Sequence, residues 1–436
     1  MHATRRVVIT GLGVISPLGN MHEGLWDALI AGRSGVGPWR NVPADYLPTS
    51  FAAEARDFTG AIDDFGPLEG EKKKAIRKGL KIMCRESQMG VAAAQRALAD
   101  TGLGDGQVDP ERIGVVFGSD YMMTLPEDFV AGIQRCIDER GNFDFSRWAG
   151  EGMPQLTPLW LLKYLPNMPA SHVAIYNDLR GPNNSITLRE ASSNAAVGEA
   201  FRTIVRGSAD LMLAGATGTR VHPMKMIHTV TQEEVAGNGA EPTSASRPFD
   251  LQRTGMVLGE GAGAMVLEEL ERALARGARI YAEVVGTASS SVASRNGVAH
   301  RETALVNVMS AALQDAGCQP KDVGHVHAHA LSTRSCDEEE SRAIRTVFEN
   351  GAGDMPVTAA KSYFGNLGAG SGLIELIASV LALKNGRLFK VLNHQTPDPK
   401  CPIAVCREEG LPGASCLSIN VTPQGQASAV MVRAWT

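Results

Sequence analysis

Hydrophobic and polar positions alternate along the chain in two ways that predict a mixed α/β protein. Continuous apolar runs such as 113–117 and 211–216 predict buried strands. Between such runs lie segments whose apolar residues recur at helical spacing, and 190–206 is an example. Strands and helices in this order predict a largely parallel or mixed sheet that helices cover. The inward face of 190–206 consists of Val197, Ala200, Phe201, Ile204 and Val205.

The order of these elements repeats weakly along the chain. Residues 93–120 and 308–333 each read as an amphipathic helix that ends near a glycine, a polar loop and an apolar strand. A repeat of this length predicts two similar halves that share one core, not an array of small repeats. We therefore expect a single domain whose halves span about 1–270 and 271–436.

A second correspondence pairs residues 190–216 with residues 366–392. Each segment begins with a helix of small residues, and a predicted strand follows the helix. In the second segment the predicted strand is 387–393, with the sequence RLFKVLN. The two helices are thus expected at equivalent places in the two halves.

The helix in 190–206 has a carboxylate at its start. Gly207 is placed to end this helix, so residues 190–194 form its first turn. Unpaired N–H groups and the helix dipole favour negative charge there. By periodicity alone, Glu190 is read as a surface carboxylate that complements the dipole.

Composition narrows the possible structural class of the protein and its possible binding partners. The 436 residues are 44% hydrophobic and 20% charged, and 47 of them are glycine, which is typical of a globular α/β protein. A net charge of -5 gives no electrostatic reason to expect nucleic acid or an anionic membrane as partner. No apolar run approaches the ~20 residues of a membrane span, and the first residues lack the apolar region of a signal peptide. Seven scattered cysteines without a CxxC pair favour a reduced, cytoplasmic protein.

Ordered motifs along nearly the whole chain resemble those of the elongating β-ketoacyl-acyl-carrier-protein synthases of the synthase II type. These are ketosynthases of the thiolase superfamily. The resemblance implies an α/β thiolase fold, in which duplicated βαβαβαββ halves form a layered αβαβα core. It also implies acyl carrier protein as partner, no cofactor, no metal, and a homodimer or a heterodimer with a cysteine-containing ketosynthase. The motifs are RRVVITGLGVISPLGN, GEAFRTIVRGSADLMLAGAT, SRPFDLQRTGMVLGEGAGAMVLE, VHAHALSTRSCDEEE, AAKSYFGNLGAGSGLIE and LNHQTPDPKCP.

The resemblance assigns an altered catalytic set to this chain. In the family a cysteine at a helix start attacks an acyl thioester, and two histidines on later loops assist decarboxylation of malonyl-carrier protein. The family pattern T-A-C-A-T-S matches LREASS, so Glu190 stands in the place of the cysteine and Arg189 in that of a small residue. His329 matches the first histidine, and Asn366, in KSYFGN, stands in place of the second. The implied set is Glu-His-Asn where the family has Cys-His-His.

Other polar positions of the family are retained, whereas one loop departs from its pattern. The glycine-rich loop that gates the family's site matches Val421, Thr422, Pro423, Gln424 and Gly425 here. Pro423 falls on the residue whose N–H would complete an oxyanion hole, and proline has no N–H. Losing one such donor costs roughly a hundred- to a thousand-fold in rate. The retained supporting residues are Lys361, Asp337, Glu340 and Glu375.

These departures leave several functions open. Attack by Glu190 on a thioester would give a hydrolysis-prone mixed anhydride, so ordinary Claisen condensation is not expected. One alternative is decarboxylation of malonyl groups by His329 and Asn366, although an ionised Glu190 would repel the malonyl carboxylate. A second is proton abstraction by Glu190 as a general base. Either reaction would make the chain an atypical 3-oxoacyl-carrier-protein synthase-like protein that acts on carrier-bound acyl or malonyl groups without a cysteine acyl-enzyme, and this is the function that we expect. The alternative is a non-catalytic, chain-length-factor-like partner subunit of a true ketosynthase.

Three further features have a structural and a functional interpretation. His325, His327 and His329 alternate along a predicted strand; they are either packed core histidines or metal ligands, and the former is expected. Cys336 is either an ordinary buried cysteine or a relocated thiol. The basic run 69–81 is either a solvated helix face or a surface that meets an acidic carrier protein.

Overall fold

The computed structural model describes residues 5–40, 47–104, 106–348 and 355–436. Its strands are β1 Val7–Ile15, β2 Gly37–Pro38, β3 Phe51–Ala52, β4 Ile113–Ser119, β5 Asn183–Thr187, β6 Leu211–Thr219, β7 Glu260–Glu269, β8 Ala282–Ser291, β9 His325–His327, β10 Val357–Thr358, β11 Ser415–Val421 and β12 Gln426–Ala434. Its α-helices are α1 His22–Ile30, α2 Gly70–Gly79, α3 Arg85–Asp100, α4 Val130–Arg135, α5 Met168–Asn177, α6 Ser192–Val205, α7 Pro223–Gln232, α8 Leu270–Ala275, α9 Arg301–Asp315, α10 Arg334–Val347, α11 Lys361–Phe364 and α12 Ser371–Asn385.

Ten of the strands form one mixed sheet with a mirrored order. The order is β10-β9-β11-β12-β8-β1-β7-β6-β4-β5, and β2 pairs with β3 separately. From the central antiparallel pair β1/β8, each side adds two antiparallel pairings and then two parallel pairings. The five strands on one side come from the first half of the chain and the other five from the second, so the predicted duplicated α/β fold is present.

Helices and strands stack in five layers. On one outer face α3 packs against β1, β6 and β7, and on the other α9 packs against β8 and β12. Between the two sides of the sheet lie α6, which contacts β4, β6 and β8, and α12, which contacts β7 and β11. Residues 371–383 of α12 are all buried, so this part of the helix has no side that faces solvent. This is the αβαβα core that the resemblance implied.

The outer helix α3 lies unusually close to β1. A Cβ atom on Gly11 would lie 2.3 Å from the carbonyl oxygen of Ala97, and one on Gly13 would lie 2.0 Å from that of Ala93. Both glycines are therefore needed for packing of the helix on the strand. The glycine-rich start of the chain is thus explained by this contact.

The strand predicted at 387–393 is wrong. After α12 the chain turns at Gly386, with φ of 65°, and makes only an isolated bridge between Leu388 and Gly410. The strand that occupies the place equivalent to β6 is β11, which follows a long irregular segment. Leu388, Phe389 and Val391 are buried by loop packing, so a short apolar run was not evidence of a strand.

Candidate active site

Glu190 lies in the interior, in a short 3-10 turn, Arg189–Ala191, directly before α6. Its exposed fraction is 1%, so the surface interpretation of this carboxylate is wrong. Arg189 has φ of 51°, in the left-handed region that arginine rarely adopts. Backbone strain of this kind collects where a fold holds a side chain in a required place.

Two arginines and an amide surround the Glu190 carboxylate. Arg220, which follows β6 and is 1% exposed, donates a short hydrogen bond from Nη2 to Oε1. Asn366 donates to the same oxygen over 3.0 Å. Arg189 Nε lies 3.5 Å from Oε2. Oε1 thus accepts two hydrogen bonds, whereas Oε2 accepts none among the described atoms.

Two more acidic residues complete a buried ion cluster. Arg189 pairs with Glu233 over 2.6 Å, between Nη2 and Oε1. Arg220 lies 3.7 Å from both Glu233 and Asp120, so Glu190 is its one close partner within the described cluster. Three carboxylates thus share two guanidiniums in an interior where charges interact strongly.

The charge state of Glu190 follows from this cluster. Burial alone raises the pKa of its carboxyl, but the guanidiniums of Arg220 and Arg189 outweigh burial and hold that pKa well below its usual range. Glu190 is therefore an anion at neutral pH and a weak base. A general base works best with a pKa near the working pH, so this environment disfavours proton abstraction by Glu190.

His329 presents a free N–H to the same interior. Its Nδ1 accepts from the Asn420 amide at 3.3 Å and lies 3.4 Å from Lys361 Nζ, so the ring proton is on Nε2. Nε2 is buried without a hydrogen-bond partner among the described atoms. Burial, and then the charge of Lys361, lower the pKa of His329 well below its usual value, so the ring is neutral.

The retained supporting residues hold His329 in place. Lys361 donates to Glu375, whose second oxygen accepts from Asn420 at 2.9 Å. The Glu340 carboxylate accepts the backbone N–H groups of His329 and Ala330, and thereby fixes the loop after β9. Burial raises the pKa of Glu340 to about 8.

Asp337 supports a neighbouring loop. It accepts the backbone N–H of Phe249 at 2.9 Å, and Phe249 has φ of 60°. Burial raises the pKa of Asp337 to about 7. Asp337, Glu340, Lys361 and Glu375 thus act through the backbone or through other side chains, and Asn420 joins them.

The first two histidines of the H-x-H-x-H run belong to the core. His325 Nδ1 lies 2.7 Å from the Pro412 carbonyl, which can only accept, so this nitrogen carries the proton. His327 Nε2 accepts from the Ala360 N–H, so the proton of His327 is on Nδ1. Ser379 Oγ joins the two rings by accepting from His327 and donating to His325. Among the residues that the structure describes, no cluster of His, Cys, Asp and Glu can hold a metal ion.

This arrangement predicts a specific pH dependence of stability. Burial lowers the pKa of His325 to about 4, against about 6.5 unfolded, so its contribution to stability is full above pH 6.5 and is lost as the pH falls toward 4. Between pH 6.5 and pH 5, the free energy of unfolding of His325→Asn is expected to fall by about 1.5 kcal/mol less than that of the unchanged protein, as measured by chemical unfolding. Equal slopes for the two proteins would contradict a neutral, buried His325.

The predicted gating loop forms the tight turn between β11 and β12. Thr422 donates its N–H to the Gln426 carbonyl, and Gly425 adopts φ of 80°. The Thr422 N–H is used within this turn, and Pro423 has no N–H. Neither residue therefore offers a backbone donor to the site. Gln424 is exposed at the tip of the turn.

A cleft of about 130 Å³ leads toward the ion cluster. Val421, Thr422 and Pro423 line one wall, and Glu233 and Met256 line another. Met256 Sδ contacts the Asn366 amide at 3.4 Å, so the cleft ends close to Glu190. Cys336 also lines the cleft, but burial raises the pKa of its thiol well above the usual value, which does not favour a relocated nucleophile.

Sequence reasoning missed the residues that determine the state of Glu190. Arg220 and Asp120 each follow a buried strand directly, β6 and β4 respectively. A charged residue at the end of an apolar run was the signal available for both. Glu233, Met256 and Asn420 gave no comparable signal.

Comparisons place these observations among known proteins. Two family models match the chain: the Beta-ketoacyl synthase N-terminal domain over residues 4–273 and the C-terminal domain over residues 281–395. The 3-oxoacyl-[acyl-carrier-protein] synthase 2 of Coxiella burnetii is 35% identical over 400 residues, which cover 92% of this chain and 91% of the relative.

Solved structures are similar over the full length. A type II polyketide acyl carrier protein in complex with its ketosynthase, AntDE:AntF, matches with a TM-score of 0.83 and 26% identity, and the match covers 100% of both chains. The ishigamide ketosynthase/chain length factor matches with a TM-score of 0.83 and 28% identity, again over 100% of both chains. The predicted thiolase fold is confirmed by these similarities.

Proposed function

The chain belongs to the β-ketoacyl synthase family, and from this premise we propose that it is a non-condensing member that works beside a cysteine-bearing ketosynthase on chains held by acyl carrier protein. The observation that carries the proposal is the buried carboxylate of Glu190 in its ion pair with Arg220. It stands where the family has its nucleophile, and a carboxylate in this state neither forms a stable acyl-enzyme nor serves as an effective base.

The surroundings of Glu190 support the same conclusion. In a condensing enzyme the acyl chain has to lie beside the nucleophile, in an apolar space. Here the side chains around Glu190 include Arg189, Arg220, Asp120 and Glu233, and burying an alkyl chain among them would break ion pairs without replacing them. A subunit that does not itself hold an acyl chain fits this interior better than a condensing enzyme does.

A partner subunit also has a place to dock. β5 is a terminal strand of the sheet, and its residues are exposed or half-buried. A free strand edge with unpaired backbone groups is a natural pairing surface, and relatives in this family join subunits through a continuous sheet. We propose that β5 pairs with the equivalent strand of a cysteine-bearing ketosynthase, with a homodimer as the alternative.

Acyl carrier protein is the proposed carrier of the substrate. The predicted helix in 69–81 is confirmed as α2, and the run presents exposed basic residues, among them Lys72, Arg77 and Lys78. An acidic carrier protein is attracted to such a face. The proposed setting is the cytoplasm, and no helix in the described part of the chain is long and apolar enough to cross a membrane.

Mass analysis of carrier proteins tests the proposal. The purified protein is incubated with malonyl- and acetyl-carrier protein, and the intact mass of each carrier is followed. Neither mass is expected to change, because no acyl-enzyme forms. The Coxiella burnetii synthase 2 serves as the positive control for condensation. A β-ketoacyl product made by this protein alone would overturn the proposal.

Decarboxylation of malonyl-carrier protein is the second candidate. The free Nε2–H of His329 favours it, because a neutral donor in this position can stabilise an enolate oxygen. The same mass experiment separates the two functions. Acetyl-carrier protein that appears with the unchanged protein and is lost in His329→Ala would establish decarboxylation and displace the partner-subunit proposal.

A further inference from the structure

The groups around Glu190 have the character of a ligand site. Arg220 places Nη2 on one carboxylate oxygen, Asn366 donates to the same oxygen over 3.0 Å, and Arg189 Nε faces the other oxygen. Guanidinium forks and amide donors that converge on one planar anion are how proteins bind free carboxylates. The anion here is supplied by the chain itself.

Unpartnered atoms at this place point to a ligand independently of the ion pairs. Within the described residues, Glu190 Oε2, Asp120 Oδ2, Arg220 Nε and His329 Nε2 are all buried without a hydrogen bond. The four side chains are at most 3% exposed. Unsatisfied buried groups cost free energy, and a cluster of them indicates an interior that takes up small polar molecules.

We infer that Arg189, Arg220 and Asn366 form an internal carboxylate-binding site, whose resident ligand is the side chain of Glu190 and which takes a free carboxylate of acetate size when that side chain is removed. The inference rests on the ion cluster and not on the proposed function. It also means that Glu190 keeps the carboxylates of other molecules out of this interior.

Size and shape select the class of ligand. Glu190→Ala removes Cγ, Cδ, Oε1 and Oε2, and acetate replaces these atoms one for one with its methyl carbon, carboxyl carbon and oxygens. A tetrahedral phosphate is larger than the planar carboxylate group that these donors hold. The cleft approaches this place, because Met256, which lines it, contacts the Asn366 amide through its sulfur, and a small ion needs only Met256 to move.

Thermal unfolding of Glu190→Ala in acetate tests the inference. The Tm of this variant is expected to rise with acetate as ln(1 + [acetate]/Kd), by about 1 to 3 °C when acetate exceeds its Kd tenfold. Acetamide, which is neutral, and phosphate are expected to give no such logarithmic rise in Tm. The unchanged protein is expected not to respond, because its site is filled.

Two control variants make the result specific. Glu199→Ala removes a half-buried carboxylate from the same helix, where Glu199 pairs with Arg206, and is expected not to respond to acetate. Glu190→Gln keeps the site filled by an amide and is expected not to respond either. A rise in Tm with acetate that is equal in Glu190→Ala and Glu199→Ala, or no rise in Glu190→Ala, would overturn the inference.

If Glu190→Ala does not fold, a refolding experiment tests the inference instead. The variant is then refolded from urea in acetate and, in parallel, in chloride of the same ionic strength. Recovery in acetate alone supports an internal carboxylate site, since only the missing anion was restored. Equal recovery, or none in either salt, would show that acetate does not replace the Glu190 side chain.

Discussion

Arg220→Met is expected to lower the free energy of unfolding by about 3 to 5 kcal/mol, because it leaves buried carboxylates without their shared cation. Arg220 is 1% exposed, and Glu190 and Asp120 beside it are equally buried. Without the guanidinium, burial raises the pKa of Glu190, and a raised pKa makes the folded protein lose stability as the pH rises. The difference in the free energy of unfolding between Arg220→Met and the unchanged protein should therefore be smaller at pH 5 than at pH 7. Chemical unfolding at both pH values measures it.

Two further variants separate loss of charge from loss of packing. Arg202→Met removes a guanidinium from an exposed pair with Asp315 and is expected to cost less than about 1 kcal/mol. Adding Glu190→Gln to Arg220→Met removes the stranded anion and should recover part of the loss. A deficit that does not depend on pH and is not reduced by Glu190→Gln would contradict the ion-pair account.

The fold could be predicted to a large extent because its signals are local and periodic. The helical spacing of 190–206 predicted α6, and the continuous apolar runs predicted β4 and β6. The order of repeated elements gave the two halves. The strand at 387–393 failed because a short apolar run looks the same whether it enters a sheet or packs as a loop, and only the neighbouring chain decides between them.

The residues of the candidate site could be identified from the sequence, but the charge interactions among them could not. Position along the motifs identified Glu190, His329 and Asn366, and the structure brings Glu190 and Asn366 into direct hydrogen-bond contact. The state of Glu190 depends on Arg220, which is 30 residues away in the chain. Its side chain reaches the carboxylate only because β6 ends beside the start of α6. Sequence spacing cannot supply such a contact, so the charge state of Glu190, which decides whether it can act as a base, could not be predicted before the fold was known.

Glu190→Cys is expected to create the most reactive thiol in the protein. Arg220 and Arg189 would stabilise its thiolate, whereas burial raises the pKa of Cys84, Cys401 and Cys416 to about 12. At pH 6.5 we expect iodoacetamide to label the new thiol at least about tenfold faster than any of the seven natural cysteines. Peptide mapping by mass spectrometry, with the rate followed against pH, measures this. A new thiol no faster than Cys401 would contradict the proposed influence of the two arginines.

The same variant tests how far the interior departs from that of a condensing enzyme. Acetyl-carrier protein is expected to acylate Glu190→Cys, whereas octanoyl-carrier protein should be at least about tenfold slower, because the buried ion pairs leave no apolar space for its chain. Condensation with malonyl-carrier protein should remain about a hundred- to a thousand-fold below that of the Coxiella burnetii enzyme, since Thr422 and Pro423 offer no backbone donor. Adding Arg189→Ala should raise the rate of octanoyl transfer relative to that of acetyl transfer, since the lost influence of Arg189 on the thiolate lowers both rates alike. Equal rates for both chains in Glu190→Cys would mean that the ion cluster does not set the chain length that this interior accepts.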